Sequence, residues 1–207
     1  KEDPPKIAAL ATYYPHIVSR NLDTDPRQDN AIRAIVNSVK LAKELQDRDL
    51  VCVDNPGQDL GRIPLFIEIV CGSILDSEGR RRRARARTDD ECFDILKQSL
   101  RSVCAQLDES IPYVLALELE PGSTYVLRDL KTLIRARDML IDLNRDPKCS
   151  GHLGLNLDIA HYLVAEIEPQ ELIDNSILEW FVHSHVCDLP GMHTRDQTVG
   201  QWMTADQ

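Results

Sequence analysis

Aromatic residues make up only 5% of the 207-residue chain, and no apolar run approaches the roughly 18 residues needed to span a bilayer. A membrane partner is therefore not expected. No GxGxxG and no GxxxxGK[ST] stands at the end of any strand-like run, so the usual nucleotide-cradling loops have no support. Cys52, Cys71, Cys92, Cys104, Cys149 and Cys187 lie far apart without a CxxC pair. They read as buried thiols of a reduced compartment, not as a disulfide framework or a zinc knuckle. Basic charge is also in deficit, with 24 Lys and Arg against 34 Asp and Glu and a net charge of −10. An acidic surface repels phosphate backbones, which disfavours nucleic acid as a partner. The first residues, Lys1-Glu2-Asp3-Pro4-Pro5, have neither signal-peptide nor transit-peptide character, so a cytoplasmic location is expected.

What remains is a globular composition, 43% hydrophobic and 28% charged, read as a single domain over residues 1–207. Strand-like apolar runs alternate with amphipathic helices. Ile7–Tyr13, Leu50–Val53, Phe66–Cys71, Tyr113–Leu119, Leu153–Asp158 and Phe181–Val186 read as strands. Helices are predicted over Asn30–Leu45, from Thr88 to about Leu107, over Tyr125–Leu143 and from Pro169 to Asn175. Thr88-Asp89-Asp90-Glu91 is a capping box, in which the hydroxyl and the glutamate satisfy each other's orphan amides. Continuously apolar strands, each followed by a helix, predict a parallel sheet covered by helices. A doubly wound sheet and a (β/α)8 barrel both fit. Gly79–Arg87 carries six arginines and reads as an exposed, poorly ordered loop because like charges repel.

The ionisable residues are placed with more meaning. Three consecutive strand-like runs end in Leu117-Glu118-Leu119-Glu120-Pro121-Gly122, Asn156-Leu157-Asp158-Ile159-Ala160-His161 and His183-Ser184-His185-Val186-Cys187-Asp188. Active sites of parallel barrels are built on the rim where strands end. Carboxylates and imidazoles converging there make a donor set that Mn²⁺, Mg²⁺, Co²⁺ or Zn²⁺ accepts.

These pieces, LELEPG, GLNLDIAH and HSHVCD followed by HTRDQTVG, resemble the xylose isomerase-like TIM-barrel superfamily. That group holds sugar and sugar-phosphate isomerases and epimerases together with AP endonucleases. The resemblance covers roughly residues 7–200 and implies a (β/α)8 barrel of which the chain carries five to six strands, without the N- and C-terminal ones. It implies a divalent metal held by Glu118, Asp158 and His185, with Glu120, on the same strand face, as the rival of Glu118. His161 is implied as a catalytic group that contacts substrate or a second metal, and Asp188 as the carboxylate orienting His185. His16, His193 and Arg195 are implied as substrate-binding residues.

The activity implied is proton transfer through an enediolate on a small sugar or sugar phosphate, with Glu118 as acid and base and the metal stabilising the developing charge. The family's fourth ligand, an eighth-strand glutamate, has no counterpart in the 207 residues. A homo-oligomer is compatible with this reading. The alternatives are an AP endonuclease-like phosphodiesterase and a non-catalytic, degenerate barrel. The nuclease pattern has a zinc-binding histidine two residues before a Gly-Ser pair. Here that position, before Gly72-Ser73, is Val70, which lowers the nuclease reading.

Overall fold

A computed structural model of the chain describes residues 7, 9–21, 26–50, 64–75, 86–108 and 111–186. The elements run β1 (Ala9–Tyr13), α1 (Arg27–Asp47), β2 (Leu65–Val70), α2 (Asp89–Ala105), β3 (Tyr113–Glu118), α3 (Leu130–Leu143), β4 (Leu153–Asp158), α4 (Ile159–Val164), α5 (Pro169–Asp174), a 3₁₀ turn (Leu178–Trp180) and β5 (Phe181–His185). All neighbouring strands are parallel, and their order in the sheet is β1-β2-β3-β4-β5. A doubly wound sheet reverses its strand order at a switch point. This sheet does not reverse among the described residues, so each crossover adds the next strand on the same side, which is the winding of a β/α barrel.

The two faces of the sheet are chemically distinct because side chains alternate along a strand. Leu65, Ile67 and Ile69 of β2, Tyr113, Leu115 and Leu117 of β3, and Leu153 and Leu155 of β4 join the main core with Ile35, Val39, Leu96, Leu100, Leu133 and Leu140 of the helices. Each such fully buried aliphatic side chain contributes about 1.5–3 kcal/mol. The helices α1, α2 and α3 pack side by side over this face. The other face carries Glu68 and Val70, Ala116 and Glu118, and Gly154, Asn156 and Asp158. The functional groups lie there.

The capping box forms as expected: Glu91 N donates to Thr88 Oγ1 at 3.2 Å, and Thr88 N donates to Glu91 Oε2 at 3.0 Å. The third helix begins at Leu130, five residues later than Tyr125. The amides of Tyr125 and Val126 are taken by Gly122 O and Gly72 O at 3.0 and 3.1 Å, and Asp129 caps the helix by accepting from Thr132 N at 2.8 Å. The sequence reading also omits α4. That helix starts because Asp158 Oδ1 accepts from the amides of Ala160 and His161 at 2.9 and 3.3 Å. The strand expected over Leu50–Val53 lies, beyond Leu50, outside the described residues. None of the described helices is long and apolar enough to cross a membrane.

Candidate metal centre on the inner face of the sheet

Strand register sets the site. Val70, Glu118 and Asn156 stand in line across β2, β3 and β4, with His183 of β5 beside Asn156. Asp158 and His185 pair one step further on, after a register shift at Leu155/Asn156. Glu68, Glu118, Asn156 and Asp158 are 2%, 7%, 0% and 8% exposed, so this is a buried polar cluster and each member needs a partner.

The partners are one another. His185 Nε2 lies 2.7 Å from Glu68 Oε1, while its Nδ1 lies 3.6 Å from Asp158 Oδ2 and 3.8 Å from Glu118 Oε1. One donor atom each from Glu118, Asp158 and His185 falls within a mutual 4.8 Å, a spacing that fits a divalent ion with two hard oxygens and an imidazole. Glu118, Glu120 and His161 form a second such group, and Glu68, His183 and His185 a third. Glu118 belongs to both of the first two groups, with Asp158 and His185 in one and with Glu120 and His161 in the other, its Oε1 lying 3.6 Å from His161 Nδ1. Glu120 belongs to the second group alone.

His161 Nδ1 donates to the carbonyl of Leu119 at 2.7 Å. A carbonyl only accepts, so the neutral ring keeps its proton on Nδ1 and its lone pair on Nε2. That nitrogen faces Asp158 Oδ2 at 3.9 Å and Glu120 Oε2 at 4.0 Å. Burial, and then the neighbouring Glu68 charge, push the Glu118 carboxyl up to about 7, against the pull of His161 and His185. A carboxyl with that value is matched to proton transfer near neutral pH, and a bound dication favours its ionised form. For His185, burial lowers the pKa, but the Glu68 hydrogen bond and the surrounding carboxylates outweigh it and the net shift is upward.

Other expected residues fall elsewhere. His16, on the loop after β1, has Nδ1 3.2 Å from Ser19 Oγ and lines a cleft of about 180 Å³ with Tyr14, Pro15, Arg27, Asn30 and Ala31. His193, Arg195 and Asp188 lie outside the described residues, as does the arginine run up to Arg85. Arg87 corrects the reading of that run at its end. It is half-buried and donates through its two terminal nitrogens to the carbonyls of Val18 and Ser73, because loop carbonyls there need a donor.

Sequence reading missed Glu68 and Asn156. Glu68 had a usable signal, since a charge inside the apolar run Leu-Phe-Ile-Glu-Ile-Val of a parallel strand must find a buried partner. Asn156 had none, because a single amide between two strand residues is unremarkable until its neighbours are known. Val70, in register with Glu118, brings no donor to the position that the nuclease pattern fills with histidine.

Sequentially wound parallel strands with helices on one face and polar groups on the other define an open portion of a β/α barrel. Neither a family model nor a curated protein sequence matches the chain. Among solved structures, the fold is similar to that of the apo form of the 3-keto-D-glucoside 4-epimerase YcjR from E. coli. The TM-score is 0.55 and the identity 18%, over 92% of this chain and 64% of that one. It is also similar to the IOLI protein with a bound zinc atom, at a TM-score of 0.46 and 16% identity, over 79% of this chain and 45% of that one. The first likeness shows a β/α-barrel fold, the fold expected from the sequence. The chain spans a little under two thirds of that epimerase's length.

Proposed function

We propose that the chain forms the catalytic rim of a divalent-metal-dependent sugar or sugar-phosphate isomerase or epimerase. The observation that carries this reading is the convergence of Glu118, Asp158 and His185 within 4.8 Å at the strand ends. Similarity in fold to a sugar epimerase supports it.

When bound, the ion supplies Lewis-acid polarisation of the substrate carbonyl. Glu118, kept ionised by the bound dication, takes the proton from the adjacent carbon. For the carbon-bound proton, movement between two neighbouring carbons on one face of the sugar needs only this carboxylate, while the hydroxyl proton passes between the two oxygens. Inversion at a single carbon needs a second group on the opposite face, the place that the family gives to its eighth-strand glutamate. His161, fixed by Leu119 O with its Nε2 lone pair outward, accepts a hydrogen bond from a substrate hydroxyl. Asp158 holds its side chain in place through Oδ1, which accepts from the α4 amides, and keeps Oδ2 toward His185.

The test is metal content together with turnover on a panel of ketoses, aldoses and their phosphates. Glu118→Gln is expected to lose metal affinity and about 10²–10⁴ in rate. His161→Ala is expected to raise KM or lower kcat while leaving metal content near that of the parent. A Glu118→Gln variant with full metal occupancy and full turnover overturns the assignment. Cleavage of an abasic duplex with no sugar turnover establishes the nuclease reading in its place.

A further inference from the structure

We infer that Glu68 is a positioning residue that holds the proton of His185 on Nε2 and so turns the Nδ1 lone pair toward Glu118 and Asp158. This rests on the metal-centre reading above but concerns a residue outside that donor set. The Glu68 carboxylate can only accept, and it lies 2.7 Å from His185 Nε2, so that nitrogen is the donor. The orientation of the Asn156 amide agrees with that assignment. Asn156 Oδ1 lies 3.1 Å from His183 Nδ1 and accepts from it, which turns the Asn156 amide nitrogen toward His185 Nδ1 at 3.5 Å. An N–H group facing Nδ1 requires a lone pair there.

The reach of Glu68 is built into the sheet. In register beside it stand Ala116 and then Gly154, the smallest inner-face residues of β3 and β4. Glu68 is nevertheless buried to 2% exposure, and a buried carboxylate costs several kcal/mol unless it is paired. Its pairing with the β5 histidines offsets that cost.

The two ring nitrogens divide the chemistry. An ion held with Glu118 and Asp158 uses Nδ1, and a carboxylate on the far nitrogen cannot reach that ion. Glu68 is therefore not a replacement fourth ligand. It sets the tautomer, the ring orientation and the basicity of the ligand, as carboxylates behind metal-bound histidines do. The competing arrangement, a second ion between Glu68, His183 and His185, needs Nε2 stripped of its proton.

The tautomer is read on the metal-free 207-residue chain, ¹⁵N-labelled, in chelator at pH 8.5, by two-bond ¹H–¹⁵N correlation, with His185→Asn used for assignment. A proton on Nε2 alone is expected, and a proton on Nδ1 overturns the inference. Co²⁺ titration of the parent and of Glu68→Gln, followed by visible absorption, supplies the second readout. Glutamine can donate to Nε2 and drive the proton to Nδ1, so Kd should rise about 10- to 100-fold at unchanged stoichiometry, with the tautomer shifted in the same variant. An unchanged Kd overturns the inference, as does a stoichiometry of two ions that falls to one in the variant. If the parent takes up no Co²⁺, the metal-centre reading fails, while the tautomer still decides the role of Glu68. The same measurement on the parent decides it if Glu68→Gln does not fold.

Discussion

Glu68 Oε1 on β2 and His185 Nε2 on β5 are 2.7 Å apart although two strands lie between them. In a flat sheet the two strands would be about 14 Å apart, three spacings of about 4.8 Å, beyond the combined reach of a glutamate and an imidazole pointing straight out of the sheet. The contact exists because the sheet curls toward its inner face. Curvature is therefore a requirement of the site, since flattening the sheet would separate Glu68 from His185.

Gly154 is one place where that curvature can be tested. A Cβ there would lie 2.5 Å from Val182 Cγ1 and 2.9 Å from the carbonyl oxygen of Trp180. Gly154→Ala must push β5 away from β4, at a cost of typically about 1–3 kcal/mol for overpacking. A lower denaturation midpoint together with weaker Co²⁺ binding is expected. Unchanged binding would mean that β5 tolerates the displacement.

Asp158 does two tasks with two oxygens, and the tasks separate by substitution. Asparagine keeps an Oδ1 that accepts from Ala160 N and His161 N, but it presents an amide nitrogen in place of Oδ2. Asp158→Asn should keep the thermal midpoint near that of the parent, weaken Co²⁺ binding, and regain part of its turnover in excess metal. Asp158→Ala should also lose the cap, about 0.5–2 kcal/mol of stability. Calorimetry with metal titration checks both, and parental affinity in the asparagine variant would remove Asp158 from the ligand set.

The Glu118 carboxyl predicts a pH dependence of the metal-free chain. Its folded pKa of about 7 stands above its ordinary value of 4.5 because of burial first and the Glu68 charge second. The folded state therefore binds the proton more tightly than the unfolded one. The associated stability is fully present below about pH 4.5 and is lost as pH rises through about 7. Glu118→Gln cannot ionise, so in chelator it should gain stability relative to the parent between pH 5 and pH 8. Denaturant midpoints at the two pH values measure this, and a constant difference would contradict it.

Thr88 offers the matching control away from the site. Thr88→Ala removes the acceptor for Glu91 N and should cost about 1 kcal/mol, with no change in Co²⁺ affinity. A change in affinity would show that α2 is coupled to the inner face.

Much of the site was readable in the chain because strand ends announce themselves. Glu118 and Asp158 each close an apolar run that Leu117 and Leu157 carry, and His185 lies at the end of the last one. Glu68 was passed over because it sits inside its strand, where period-two alternation assigns it a face but no partner. The start of α3 was misplaced because Tyr125, Val126 and Leu127 fit a helical stripe, while their environment spends the first two amides on Gly122 and Gly72.

Local order therefore belonged to the sequence: the alternation of strand and helix, the apolar face of each element, the Thr88 cap, and the carboxylates and imidazoles at three strand ends. These follow from spacings of two and about 3.6 residues and from single capping side chains, all of which act within a few residues. Tertiary structure decided the rest. A barrel was chosen over a doubly wound sheet by the lateral order of strands. Glu118 was set with Asp158 and His185 on one side and with Glu120 and His161 on the other by which side chains face each other across the curl. Glu68 was joined to His185 across 117 residues of chain. Such pairings depend on register and curvature, which no local periodicity encodes.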